Sequence, residues 1–220
     1  MPERARILRP FAVVLFLLSA SLICVSQDNK KPEYGILVDN TGSMRAQFET
    51  VHQLSKGIVH QVHDHGPVSI FAFESAPTRR DPQAKPTASV EQTQDEELLN
   101  RTIDNVYVQG GQTTLFDAIE MMTERLSKQA PQADKFVVLI TDGEERASTK
   151  GQKEVIQKLR DLKIKVYAIG LVQELEPAKR AKATDLLKLI CRETGGRAVI
   201  VKPGYIDVQS VITDLALPIQ

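Results

Sequence analysis

The chain has 220 residues, of which 42% are hydrophobic, with 28 basic and 28 acidic side chains. This length is enough for one α/β domain with its own core, and the balanced charge excludes the basic footprint of a nucleic-acid-binding protein.

The first 26 residues have the pattern of a secretory signal peptide. Three arginines precede an apolar run from Phe11 to Val25, and residues 27–32 follow as a short polar linker. The run is 15 residues long, and a helix needs roughly 20 to cross a bilayer. Cleavage after Ser26 is therefore favoured over an uncleaved anchor, and lipid attachment at Cys24 is disfavoured because Ile23 is bulky.

Signal removal predicts an exported protein, periplasmic or secreted, with no membrane insertion of the mature chain. Removing three arginines and one glutamate from the balanced total leaves a net charge of −2. Cys191 is then the one remaining cysteine, which excludes an intramolecular disulfide, and we expect it to be a buried structural thiol.

The remaining 33–220 are expected to form a single domain in which strands and helices alternate. Short apolar runs flanked by turn residues predict buried parallel strands at 34–38, 68–73, 136–140, 165–169 and 198–201. Apolar residues spaced by three or four predict helices at 44–62, 115–126, 155–162 and 186–190, the last closed by Gly195 and Gly196.

One stretch in this series is ambiguous. Residues 76–93 contain three prolines and form either an edge strand near 87–90 or only a loop, and the acidic run 95–97 is expected to begin a helix. The alternation as a whole predicts a doubly wound, Rossmann-like α/β domain with a mostly parallel sheet and helices on both faces.

Oxygen-bearing side chains collect where ligands bind in such a sheet, at the carboxyl ends of the strands. Asp39 ends the first strand and is followed by Thr41 and Ser43, and Asp142 follows the strand at 136–140. A third loop, 110–114, opens a helix and contains Thr113. Because these loops have oxygen donors and no Cys or His, they predict a hard divalent cation, Mg²⁺ first, with Mn²⁺ or Ca²⁺ as substitutes.

These loops also resemble a known family. The run 39–43, Asp-Asn-Thr-Gly-Ser, matches the D-x-[S/T]-x-S element of the metal-ion-dependent adhesion site in von Willebrand factor type A and integrin inserted domains. Segment 111–118 resembles the family's threonine loop and segment 139–144 its second aspartate loop. The likeness runs from about residue 33 to the C-terminus and is to the bacterial, acidobacterial-type members with a signal peptide in particular.

The resemblance implies a metal-dependent, adhesion-type protein-binding domain rather than an enzyme. Thr41, Ser43 and Thr113 would contact the cation through their hydroxyls, directly or by water, with Asp39 and Asp142 close by. One coordination position would accept an Asp or Glu carboxylate from a protein partner. Thr41 departs from the more usual serine, which affects affinity through its stiffer side chain.

The sequence leaves two other classes of function to consider, an enzyme and a structural module. An enzyme is disfavoured because the chain has no Gly-x-Ser-x-Gly elbow, no Walker loop and no dinucleotide-binding Gly-x-Gly-x-x-Gly. The alternative is a structural module of a cell-envelope assembly with an unoccupied metal site. The helix expected at 206–215 is the segment whose position would be coupled to the Thr113 loop if the site switches affinity.

Overall fold

The computed structural model describes residues 31–73, 89–109, 112–202, 204 and 206–219. The predicted signal peptide and Gly110 and Gly111 of the third loop lie outside these residues. Among the described residues, no helix combines the length and the hydropathy needed to cross a bilayer.

The described strands form one mixed sheet. They are β1 (Glu33–Val38), β2 (Val68–Ala72), β3 (Ser89–Thr93), β4 (Lys135–Thr141), β5 (Ile164–Gly170) and β6 (Ala198–Ile200). Their order is β3-β2-β1-β4-β5-β6, and β3 alone pairs antiparallel, with β2. The predicted doubly wound α/β class is confirmed.

The ambiguous stretch does contain an edge strand. Among the described residues it occupies Ser89–Thr93, so it overlaps the predicted 87–90 and continues beyond it, and its side chains are exposed or half-buried. Residues 87 and 88 lie outside the described residues. An edge strand whose side chains are largely exposed has no apolar run that marks its ends in the sequence. Its position is therefore set by its pairing with β2.

The described helices are α1 (Phe48–Val62), α2 (Glu96–Asp104), α3 (Leu115–Ser127), α4 (Gln152–Asp161), α5 (Pro177–Thr194) and α6 (Val208–Leu215). As expected from the acidic run, α2 begins there, and Asp95 caps it by accepting the N–H of Leu98. The first predicted helix differs at its start, because Gly42–Gln47 is a 3₁₀ turn. Asp39 accepts the N–H of Thr41 and Thr41 accepts the N–H of Met44, which tightens the chain as it leaves β1.

Alternating side chains of the buried strands divide the core between the two faces of the sheet. Ile36 and Val38 belong to the core cluster that contains residues of α1, α2 and α6, whereas Leu37 belongs to the one that contains residues of α3, α4 and α5. β1, β2 and β4 are buried along their whole length. This double burial makes the centre of the sheet a rigid base for the loops at its carboxyl edge.

The two glycines after α5 confirm the predicted end of that helix and have different roles. Gly195 has a left-handed backbone, with φ of 78°. Gly196 donates its N–H to the carbonyl of Cys191 at 2.8 Å, which satisfies the helix end. A Cβ on Gly196 would lie 1.9 Å from the carbonyl oxygen of Val166 on β5.

Gly196→Ala is therefore expected to lower the free energy of unfolding by about 3 kcal/mol, because the backbones of α5 and β5 must separate. Gly151→Ala is the matched control, since a Cβ there meets nothing within 4 Å. This substitution changes only the residue that caps α4, and it should lower the free energy of unfolding by less than about 1 kcal/mol. Urea unfolding of both variants checks this, and equal midpoints would show that the close approach does not limit stability.

Cys191 is only 1% exposed, and burial raises the pKa of its thiol to about 12 despite a backbone hydrogen bond from Ala168. Because the thiolate is the reactive form, the native protein is expected to resist a disulfide reagent at pH 8 and to react quickly in denaturant. A chain starting at Gln27 has no other cysteine, so absorbance reports this thiol alone. Rapid reaction of the folded protein would contradict its burial.

Candidate metal centre

The neighbouring strands β1 and β4 bring two of the predicted loops together. Val38 and Ile140 are paired in register, and the N–H of Asp39 donates to the carbonyl of Ile140 at 2.9 Å. Asp142 follows β4 directly. Both aspartates are buried, with 0% and 1% exposure.

The carboxylate of Asp39 is held by three hydrogen bonds. Its Oδ1 accepts the backbone N–H of Thr41 at 3.1 Å and the Thr41 hydroxyl at 2.7 Å. Its Oδ2 accepts the hydroxyl of Thr141 at 2.6 Å. With both oxygens engaged, Asp39 orients the hydroxyl groups around it rather than pointing freely into the site.

Three hydroxyl oxygens from two loops lie beside this carboxylate. The Oγ1 of Thr41 is 3.2 Å from the Oγ of Ser43 and 3.2 Å from the Oγ1 of Thr113. The Thr113 carbonyl accepts the N–H groups of Arg146 and Ala147, which fixes the third loop against the segment after Asp142. Ser43 is half-buried while Thr41 and Thr113 are buried, so the cluster reaches solvent on the Ser43 side.

Asp142 contributes an oxygen whose bonding is incomplete. Its Oδ1 accepts the N–H of Glu144 at 2.9 Å. Its Oδ2 is buried, and within the part of the chain that the structure describes it has no hydrogen-bond partner. A buried carboxylate oxygen without a partner is costly, and a bound cation would remove that cost.

The two carboxylates also perturb each other. Burial, and then the charge of Asp142, raise the pKa of Asp39 to about 6 despite the hydrogen bonds from Thr141 and Thr41. Burial likewise raises the pKa of Asp142, although the backbone of Glu144 and the Ser43 hydroxyl oppose it. Two buried negative charges side by side favour either a proton or a cation between them.

The hydrogen-bonded hydroxyl groups of Thr41, Ser43 and Thr113 have separations close to those around a small octahedral cation. Two oxygens in adjacent positions around Mg²⁺, each at about 2.1 Å, are separated by about 3 Å. The separations of 3.2 Å from Thr41 to Ser43 and to Thr113 are close to this value. The donor set is oxygen only, which suits Mg²⁺ or Mn²⁺.

Carboxylates and imidazoles alone form no such cluster, since no three His, Cys, Asp or Glu side chains in the described ranges are arranged to hold a metal. Two histidines make contacts of a different kind. His60 Nδ1 lies 2.9 Å from Glu96, and His52 Nε2 donates to the Val106 carbonyl. Any metal site at the sheet edge thus depends on hydroxyl donors.

All five predicted residues meet at one place, and the sequence reasoning missed one more. Thr141 donates to Asp39 and accepts the N–H of Gly143 at 2.9 Å, so its hydroxyl joins the two aspartate loops. The available signal was a hydroxyl residue between the apolar run 136–140 and Asp142, which we included in the second aspartate loop without giving it a role.

Comparison with known families gives a match to the model described as von Willebrand factor type A domain, over residues 35–212. No curated protein matches the chain.

Solved structures share the fold at low sequence identity. The pilus adhesin SpaC from Lactobacillus rhamnosus GG, in its open conformation, is 15% identical with a TM-score of 0.62, over 86% of this chain and 30% of the adhesin. The conserved hypothetical protein BatB from Bacteroides thetaiotaomicron is 17% identical with a TM-score of 0.59, over 84% and 97%. The manganese-loaded TRAP protein from Plasmodium vivax is 16% identical with a TM-score of 0.58, over 84% and 72%. The chain thus spans less than a third of the pilus adhesin.

Proposed function

The chain belongs to the von Willebrand factor type A domain family, and on that premise we propose that it is a non-enzymatic, adhesion-type domain that binds a protein partner through one divalent cation. The observation that carries the proposal is the cluster of three hydroxyl oxygens beside two buried carboxylates. Thr41, Ser43 and Thr113 would hold the cation, Mg²⁺ or its substitutes Mn²⁺ and Ca²⁺, with Asp39 and Asp142 behind them.

The donor types explain why such a site would seek an acidic partner. Hydroxyl oxygens are neutral, and Asp39 already accepts hydrogen bonds on both carboxylate oxygens. A cation held this way keeps much of its charge, so an Asp or Glu side chain that completes the coordination gains strongly. The half-buried Ser43 and the exposed Gly42 mark the side from which that carboxylate would enter.

The acidic side chain of Glu144, two residues after Asp142, does not oppose this approach. Glu144 is paired with Arg146 and, at 3.1 Å, with Lys179. Although burial acts in the opposite direction, these two cations hold the pKa of Glu144 below its usual range. The two neighbouring cations more than balance the charge of Glu144, which favours an anionic group on the partner.

Carboxylate binding that requires the metal tests this function. Calorimetry is expected to show acetate binding in Mg²⁺ and none in chelator, and acetamide, which has the same shape without the charge, is expected not to bind. Acetate should also increase the affinity for Mg²⁺, by the same factor by which Mg²⁺ increases the affinity for acetate, since linkage is reciprocal. If the affinity for the metal does not change with acetate, the adhesion mechanism is rejected. If no metal binds at all, the structural module is favoured.

Export through the predicted signal peptide stays a prediction.

A further inference from the structure

Tyr107 is an exposed aromatic residue close to the candidate metal site. Its exposure of 63% is the highest among the large hydrophobic side chains that the structure describes. It follows α2, in the segment that leads to the Thr113 loop. Large exposed aromatic side chains at a functional edge are typical of contact surfaces.

Hydrogen bonds fix the backbone around Tyr107 to the first metal loop. The Nδ2 of Asn40 donates to the Tyr107 carbonyl at 3.2 Å, and the N–H of Gln109 donates to the Asn40 carbonyl at 2.8 Å. The preceding residue, Val106, is 2% exposed, and its carbonyl accepts a hydrogen bond from His52 Nε2 at 3.0 Å. The segment is therefore held in place, although its aromatic ring is exposed.

Two further aromatic rings lie on α1, which is hydrogen-bonded to this segment through His52. Phe48 and His52 are half-buried, with ring centroids 4.7 Å apart. Phe48 follows the 3₁₀ turn that starts at Gly42 in the metal loop. His52 donates a hydrogen bond to the carbonyl of Val106, the residue before Tyr107. We call Phe48, His52 and Tyr107 the aromatic strip.

We propose that the aromatic strip receives a bulky apolar side chain adjacent in sequence to the partner's acidic residue. This inference rests on the proposed function, because it places the partner's carboxylate on the cation. The surface then offers two complementary chemistries side by side, a cation for the carboxylate and rings for the apolar group. A ring on a fixed backbone loses little conformational entropy on binding, so the contact contributes fully to affinity. The partner is a protein segment with Asp or Glu next to a residue such as Phe or Leu.

Matched peptides test the proposal on the full mature chain in Mg²⁺. The probes are acetyl-Gly-Asp-Phe-Gly-amide, the reversed Phe-Asp order, and the same peptides with Ala in place of Phe. Burial of the apolar side chain is expected to tighten binding of one Phe peptide about tenfold over its Ala counterpart. Tyr107→Ala should remove that preference and leave Mg²⁺ affinity unchanged, whereas Tyr107→Phe should keep both.

Leu162→Ala is the control for loss of an exposed apolar side chain. Leu162 is 40% exposed and lies just before β5, at the sheet edge opposite the metal loops. It should leave the tenfold preference intact.

Equal affinity for Phe and Ala peptides in both orders, or a preference that survives Tyr107→Ala, would overturn the role of the strip and leave the metal mechanism standing. A peptide with Asn in place of Asp separates the two proposals. If it binds as well as the Asp peptide, or if no peptide binds, the carboxylate mechanism fails as well.

Discussion

Asp39→Asn is expected to abolish stabilisation by Mg²⁺ and at the same time to make the metal-free protein more stable. Asparagine keeps the shape of the side chain, and its amide can replace the contacts with Thr41 and Thr141. It removes a charge that is 0% exposed and lies near Asp142. Metal affinity should fall by at least about 100-fold, because one of two carboxylate charges is lost at short range.

The free energy of unfolding of the metal-free protein is expected to rise by about 1 to 3 kcal/mol, since the variant has no buried negative charge at this position at neutral pH. Thermal unfolding with and without Mg²⁺ measures both effects. Asp117→Asn is the matched control, because Asp117 is also buried and accepts the backbone N–H groups of Thr149 and Lys150. It should destabilise the fold by about 1 to 3 kcal/mol and leave metal binding intact. Destabilisation by both variants would contradict the account of Asp39.

The second expected result is that the metal-free protein loses stability as the pH rises. The pKa of Asp39 is about 6 in the folded protein and near 3.8 in the unfolded chain. The folded state therefore binds the proton more tightly, and this contribution is fully present below pH 3.8 and lost as the pH rises through about 6. Its full size is about 3 kcal/mol, from 1.36 kcal/mol for each pKa unit.

Groups that do not interact with Asp39 are removed from this measurement by subtraction, so the difference reports Asp39 together with the neighbouring Asp142. The free energies of unfolding of the wild type and of Asp39→Asn are compared in chelator between pH 4 and 7.5, and their difference should change by about 3 kcal/mol. Saturating Mg²⁺ should offset the loss above pH 6, because the cation replaces the proton. A difference that does not vary with pH would show that Asp39 is not destabilised by its burial.

The position of the site could be predicted because two independent patterns coincide in β1 and β4. Each strand has an apolar run that leads to an aspartate, and neighbouring parallel strands bring their carboxyl ends together. Thr113 was predicted from the third loop, and the structure places its hydroxyl 3.2 Å from that of Thr41. The role of these residues as metal ligands stays a prediction.

Other features depend on tertiary contacts that have no local signal. β3 was predicted as one of two alternatives, and it continues to Thr93 rather than ending near 90, because an exposed edge strand takes its register from its neighbour. The 3₁₀ turn before α1 was predicted as helix because Met44 continues the apolar spacing, although Asp39 captures the N–H of Thr41. Val106 is 2% exposed and the adjacent Tyr107 is 63% exposed, a difference that the local sequence does not reveal.

Titration of the metal-free protein with Mg²⁺ and Mn²⁺ by calorimetry tests the central claim most directly. One variant is taken from each loop, Ser43→Ala, Thr113→Val and Asp142→Asn, with Thr114→Val as the control. Thr114 is equally buried and its side chain makes no capping bond to α3. The account predicts one cation for each chain in the wild type and in Thr114→Val, and loss of binding in the other three. Folded variants that bind the cation as tightly as the wild type would contradict a site built from these three loops.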